Sequence, residues 1–271
     1  MKIAFIGGGN MATAIVGGLL QQGYAAAEIG VVEVVAEARA RLAQQFNVQV
    51  FPEPTAALLC APLMVFAVKP QQLADVAAAF AGKLVNQLVI SIAAGIRATD
   101  LSRWLNGYKN IVRVMPNTPA LVQAGVTGLC AMPSVSDVDR TRAEALMRSV
   151  GEVIWVENEA AIDAVTAVSG SGPAYVFYFI EALEQAALEL GLDAAAARTL
   201  SLHTFSGAAK LALGSSDSAA VLRARVTSKG GTTERALLSL EKAQVRQKFV
   251  AAVHEAAQRS RELGDEFGKS R

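Results

Sequence analysis

Residues 1–20 read MKIAFIGGGNMATAIVGGLL, and this stretch decides the fold. Lys2 to Ile6 is a short apolar run of strand type. Gly7-Gly8-Gly9-Asn10-Met11-Ala12 fits the G-x-G-x-x-G/A spacing, and a helical pattern through Met11, Ile15 and Leu19 follows at once. Each position has a physical task. The first glycine permits the tight turn, the second lets a pyrophosphate approach the backbone, and Ala12 allows close packing of helix on strand. A second strand, Ile29 to Val32, ends in an acid at Glu33, 26 residues after Gly7, where a carboxylate can hydrogen-bond the adenosine ribose. Strand, glycine turn, helix and acid together predict a dinucleotide-binding unit.

Outward from this start, strand and helix signals alternate for about 160 residues, which predicts a parallel, doubly wound sheet. The strand candidates are 2–6, 29–33, 48–51, 64–68, 88–92, 111–114, 126–131 and 153–156. The last two lie around one helix, residues 137–150, as in a sheet extended by an antiparallel edge. Beyond Glu159 strand signals vanish. Residues 160–264 are rich in Ala and Leu and helical, broken at Gly170-Ser171-Gly172-Pro173, Gly191, Gly214-Ser215-Ser216 and Gly230-Gly231. The expected architecture is α/β: an N-terminal Rossmann-type sheet over residues 1–160, then an all-α C-terminal dimerisation and substrate domain over 161–271. Pro173 suits the first turn of a long helix to Leu190 whose AYVFYFIEALEQAALEL stretch is apolar nearly all round. A helix of that kind belongs in a large core or a subunit interface, so an intertwined homodimer is expected.

Composition bounds the function. Lys+Arg number 25 against Asp+Glu 24, leaving no electrostatic footprint for nucleic acid. No apolar run reaches the roughly 18 residues of a membrane span, and the chain starts inside a strand with no room for a signal peptide. A cytoplasmic enzyme is expected, with no membrane partner. Cys60 and Cys130 are too few and too far apart for a disulfide framework, and no metal site is expected.

A second functional stretch is VTSKGGTTE, Val226 to Glu234, directly before the helix-like run ERALLSLEKA. A Gly-Gly turn opening a helix brings backbone N–H groups close to an anion, and the helix dipole adds a favourable field. Ser228, Thr232 and Thr233 add hydroxyls that both donate and accept. The chemistry suits a small carboxylate beside a protonatable nitrogen; the plain alternative is a Ser/Thr-capped helix start.

FIGGGNMA (Phe5–Ala12), AVKPQ (Ala67–Gln71), SIAAG (Ser91–Gly95), RVMPNTPA (Arg113–Ala120), AVSGSGPAY (Ala167–Tyr175) and VTSKGGTT (Val226–Thr233) stand in one order from end to end. In that combination the whole chain resembles the pyrroline-5-carboxylate reductase family. The resemblance implies hydride transfer from NADPH or NADH to the ring imine carbon of Δ1-pyrroline-5-carboxylate, a cyclic imino acid, giving L-proline in the last step of proline biosynthesis. It implies a homodimer, assembled in some members into a ring of five dimers. It further implies that Ile6, Gly7, Gly8, Gly9, Asn10, Met11, Ala12 and Glu33 bind the cofactor. Ala67, Val68, Lys69 and Pro70, with Ala93, Ala94 and Gly95, leave space at strand carboxyl ends for a flat nicotinamide ring. Asn117 would orient the carboxamide or the substrate. Ser228, Gly230, Gly231 and Thr232 would hold the substrate carboxylate, and Thr233 would hydrogen-bond the imine nitrogen and relay a solvent proton.

Two positions depart from the family pattern. Lys229 stands where proline is common, and Glu33-Val34 stands where many relatives place a small polar residue and an arginine for the 2′-phosphate of NADP. An acid there repels that phosphate, although Arg39 and Arg41 follow close behind. Two other readings share the plan. A β-hydroxyacid dehydrogenase or related imine reductase would carry G-x-G-x-x-x-K-x-x-x-N, but Val176 and Ile180 occupy the Lys and Asn places after Gly170 and Gly172, so a lysine acid/base is missing. A non-catalytic dinucleotide-sensing scaffold would have no need of a carboxylate site. His203 and His254 stand in helical context without partners at ligand or triad spacing.

Overall fold

The structure, a computed structural model, describes residues 1–269. The last two residues of the helical domain drawn from the sequence, 270 and 271, lie outside the described residues. The strands are β1 (Ile3–Ile6), β2 (Ile29–Val32), β3 (Gln49–Phe51), β4 (Leu63–Phe66), β5 (Leu88–Ser91), β6 (Ile111–Met115), β7 (Gly125–Ala131) and β8 (Gly151–Trp155). All eight correspond to sequence candidates. They form one sheet in the order β3-β2-β1-β4-β5-β6-β7-β8. Every neighbouring pair is parallel except β6 with β7, so the expected antiparallel extension is present and begins at β7.

Helices connect the strands, as parallel pairing requires, and one more follows the last strand. They are α1 (Asn10–Gln21), α2 (Ala36–Phe46), α3 (Ala56–Leu59), α4 (Pro70–Ala78), α5 (Ala98–Trp104), α6 (Asp137–Arg148) and α7 (Glu159–Val165). With helices on both faces, the central strands are buried on both sides and read as unbroken apolar runs. Strand alternation sorts their side chains into two core layers. Phe5, Val31, Val65, Ile90 and Val112 join one layer with Ile15 and Leu19 of α1. Ala4, Ile6, Met64, Phe66 and Val89 join the other with Leu73 of α4 and Leu101 of α5.

The chain divides into two compact units, one of Met1–Ser171 together with the C-terminal stretch from Glu255, the other of Gly172–His254. The division falls later than residue 160 because α7, though helical, packs on the sheet: a Cβ at Gly128 of β7 would meet Val165 Cγ1 at 2.7 Å. The second unit holds α8 (Gly172–Glu189), α9 (Ala194–Leu213), α10 (Ala219–Arg225), α11 (Thr232–Lys242) and the first part of α12 (Val245–Gly268). Within it Phe249 takes edge-to-face contacts from Tyr175 and Phe179. Helix α8 matches the long helix expected from Pro173, and within one chain only Ile180 of it is buried. Phe177 and Tyr178 are 64% and 67% exposed.

No helix among the described residues is long and apolar enough to cross a membrane.

Candidate functional site

The glycine turn after β1 is shaped by contacts that only glycine allows. Gly7 has φ +106°, and a Cβ on it would lie 2.7 Å from the Ala67 carbonyl oxygen. Its N–H donates to Val32 O at 2.8 Å, tying the turn to the end of β2. A Cβ on Gly8 would sit 2.6 Å from Leu42 Cδ1, whereas at Gly9 it would meet open space. Gly9 is the N-cap of α1 and carries no side-chain cap, and no acid occupies the first turn. The N–H groups of Asn10 to Ala12 therefore lack intrahelical acceptors and point out of the helix start. A bare, positively polarised helix end beside open space fits a pyrophosphate.

The turn opens onto a cleft of about 520 Å³ at the carboxyl ends of β1 to β4. The structure brings Ile6, Gly7, Gly8, Gly9, Glu33, Ala67, Val68 and Lys69 together along it, all expected from the sequence. Asn10, Met11 and Ala12 belong to the helix start behind, Ala12 being buried, and Pro70 is the first residue of α4. The far wall was not foreseen: Pro52 and Pro54 after β3, Val76 and Phe80 along and beyond α4. The signal for it was present. In a doubly wound sheet each strand's carboxyl end faces the same rim, and β3 was recognised without naming the residues that follow it.

Glu33 is already engaged. Its Oε2 accepts the Gly8 N–H at 3.0 Å and its Oε1 the Val35 N–H at 2.9 Å. Arg39 is engaged too, with Nη1 donating to the carbonyls of Glu33 at 2.7 Å and Val34 at 2.8 Å. Val34 lines the cleft mouth and is 78% exposed.

Ala93, Ala94 and Gly95 form the turn after β5 and do not line this cleft. Gly95 has φ +72°, and the space a Cβ would take is filled by Leu263 and Phe267 of α12, each 3.1 Å away. Gly95 therefore makes room for the protein's own helix. Asn117 lies after β6 and is buried. Its Oδ1 accepts the Val126 N–H at 2.9 Å, and its Nδ2 donates to Ser169 O at 3.1 Å. Both ends of the amide are taken within the protein, pinning a π-helical turn at Thr166–Gly170. A π turn of this kind had no separate sequence signal, because Gly170 and Gly172 read only as breakers.

In the second unit VTSKGGTTE spans the junction of α10 and α11. Thr227 Oγ1 donates to Arg223 O at 2.6 Å. Gly230 has φ +73°, and Gly231 N–H donates to Ser228 O at 3.0 Å, closing the turn. Gly231 is the N-cap of α11 without a side-chain cap, so Thr232 and Thr233 open the helix. Ser228, Gly230, Thr232 and Thr233 are exposed. Glu234 reaches back so that its Oε2 accepts the Gly230 N–H at 2.7 Å, much as a capping box does. The hydroxyls nominated for the substrate thus share one exposed helix start, and Lys229 stands beside them.

Comparison with known proteins places these features. Residues 159–263 match the family described as pyrroline-5-carboxylate reductase dimerisation, and residues 2–95 match that described as NADP oxidoreductase coenzyme F420-dependent. A pyrroline-5-carboxylate reductase of Pseudomonas aeruginosa is 44% identical over 269 residues, covering 99% of this chain and 98% of the relative. The chain belongs to the pyrroline-5-carboxylate reductase family. A second family member, from Haemophilus influenzae, is 42% identical over 96% of this chain and 97% of its own. Among solved structures, a pyrroline-5-carboxylate reductase of Coxiella burnetii superposes with TM-score 0.92 at 42% identity, covering 97% of this chain and 98% of that one. One from Plasmodium falciparum, determined with NADP bound, superposes with TM-score 0.85 at 28% identity, covering the same shares. The family assignment makes the chain an oxidoreductase, and the dehydrogenase and sensor readings fall away.

Proposed function

We propose that the chain reduces Δ1-pyrroline-5-carboxylate to L-proline with NADH or NADPH, as a cytoplasmic homodimer that can build into a ring. The observation that carries this reading is the end-to-end match to family reductases, with the six motif stretches set at strand ends and helix starts.

The nicotinamide cofactor, when bound, supplies the hydride. This chain's residues supply binding and orientation, which suffices for a protonated imine already disposed to accept hydride. Gly8, Gly9 and the N–H groups at the start of α1 hold the pyrophosphate. Glu33 turns its carboxylate to the ribose hydroxyls, while Ala67 to Pro70 and Ala93 to Gly95 flank the nicotinamide. Asn117 acts indirectly, by holding Ser169 and Val126 in place. Ser228, Gly230, Gly231 and Thr232 bind the substrate carboxylate at the start of α11. The Thr233 hydroxyl oxygen accepts from the protonated ring nitrogen, and the proton that nitrogen carries comes from solvent. A threonine hydroxyl does not ionise near neutrality, so its role is orientation.

On cofactor choice we infer that NADH is used at least as well as NADPH. Glu33 lines the cleft beside the glycine turn, and Nη1 of Arg39 is held by two backbone carbonyls. Oxidation of NADH or NADPH on addition of the cyclic imine, followed as loss of nicotinamide absorbance with proline appearing in step, tests the assignment. Absence of imine-dependent oxidation with either reductant overturns it.

A further inference from the structure

The turn from Ile92 to Arg97 is fastened along its second half, at Gly95, Arg97 and the following Ala98, by groups far away in sequence. On one side stands the end of α12. Leu263 and Phe267 fill the space beside Gly95. Arg97 Nη2 donates to Asp265 Oδ1 at 2.6 Å. Its guanidinium lies so close to Gly264 that a Cβ there would come within 3.1 Å of Nη2. The last turn of α12 is itself anchored, because Arg103 Nη2 donates to Gly268 O. About two turns earlier Ser260 Oγ donates to Asp163 Oδ1 at 2.7 Å, with both residues buried. On the other side the Ala98 N–H donates to Glu159 Oε1 at 2.7 Å, an oxygen that also pairs with buried Arg113.

Phe267 and the buried Ser260–Asp163 pair stabilise the fold, but the Arg97–Asp265 contact is not explained by stability. The Arg97 and Asp265 side chains are 36% and 60% exposed, and exposed pairs of that kind add little to folding. Geometry explains it better. A glycine with positive φ leaves the turn free to take several shapes, and packing Phe267 and Leu263 against it leaves one. Hydride transfer is sensitive to that choice, since a misplacement of about 1 Å can cost on the order of a hundredfold in rate.

We propose that Phe267 and Asp265, at the C-terminal end of α12, are positioning residues that set the Ala93–Gly95 turn and through it the geometry of hydride transfer. The proposal rests on the reading that this turn flanks the nicotinamide. Neither residue touches the reacting atoms; each acts through Gly95 or Arg97.

The test uses the full-length protein with NADH, NADH deuterated at the transferred position, and the cyclic imine. Phe267→Ala and Asp265→Arg are each expected to lower kcat about tenfold and to raise the deuterium isotope effect on kcat. The KM for NADH should stay within about twofold; Asp265→Arg should keep the melting temperature, whereas Phe267→Ala, which also loses packing on the core, should lower it. The exchanged pair Arg97→Asp with Asp265→Arg is expected to recover most of the rate, which a general loss of stability would not allow. Ala94→Val, on the turn itself, serves as the reference and should also slow hydride transfer. Unchanged kcat and isotope effect in both α12 variants, with Ala94→Val impaired, overturns the positioning role alone. Unchanged behaviour in all three removes the turn from the nicotinamide site and the proposal with it.

Discussion

The carboxylate of Glu33 accepts the backbone N–H of Gly8 at 3.0 Å, bridging 25 residues of sequence from the end of β2 to the glycine turn. Glu33 thus ties the glycine turn to β2 in a cleft that Glu53 and Lys69 also line. A 2′-phosphate brought near would meet the Glu33 charge, and like charges about 4 Å apart repel by about 4 kcal/mol at an effective dielectric near 20. Solvent relieves part of that, and Arg39, whose Nη1 is held by the carbonyls of Glu33 and Val34, keeps its charge close by. Glu33→Ser combined with Val34→Arg is therefore expected to move the preference towards NADPH by at least tenfold in kcat/KM. Steady-state kinetics with both reductants decide it. A strong wild-type preference for NADPH would mean that the acid turns away from the ribose.

Thr233 opens α11 with its side chain exposed. Thr233→Ala is expected to lower turnover of the cyclic imine and to leave dinucleotide affinity unchanged. Loss of one such hydrogen bond costs about 1–3 kcal/mol, or roughly 5- to 150-fold in rate. Turnover at the wild-type rate removes the hydroxyl from the mechanism.

Helix α8 leaves Val176, Phe177 and Tyr178 exposed in succession within one chain. Consecutive helix positions lie about 100° apart, so this exposed apolar surface covers more than one face of α8, as suits a helix enclosed by a partner. Phe177→Asp is expected to weaken self-association by about 2–3 kcal/mol, from lost apolar burial and a charge set in its place. Analytical ultracentrifugation over a dilution series reads this directly, and an active wild-type monomer at low concentration would dismiss the intertwined dimer.

Tyr108 offers a pH signature unrelated to catalysis. Its hydroxyl donates to Gln87 O, and burial, with Asp139 nearby, pushes its pKa up to about 12. The folded chain therefore keeps this proton more tightly than the unfolded chain, whose tyrosine titrates near 10. The stabilisation is full below pH ~10 and is lost as the pH rises through about 12. Tyr108→Phe should be less stable than wild type at neutral pH and should lose less stability across that alkaline window. Denaturant melts at pH 8 and at the alkaline end give the comparison, and parallel losses in both proteins would exclude Tyr108 as the source.

The sheet was legible because its signals are local. Runs such as IAFI and LMVF are apolar on both faces and stop at glycine, proline or a helix start, so neighbours in sequence carry the information. The glycine turn and Glu33 were legible for the same reason. The parts that escaped depend on distant pairs. Arg97 and Asp265 stand 168 residues apart, and neither has a local pattern that names the other. Asn117 reads from sequence as a residue on a strand end, and only the fold shows that it ties Val126 to Ser169. Gly95 likewise reads as a small residue after a strand, and only the fold shows that its missing side chain admits Phe267.

The nucleotide-binding unit is interrupted, since the chain leaves it after Ser171 and re-enters at Glu255. Translation delivers its parts in that order. All eight strands and the glycine turn emerge early, then the whole of Gly172–His254, and only then the helix end that seats against Gly95 and Arg97. A nascent chain can thus possess its complete sheet and still lack the floor beneath Gly95. A stop codon a few turns of helix too soon would release a protein with every motif intact and that floor missing.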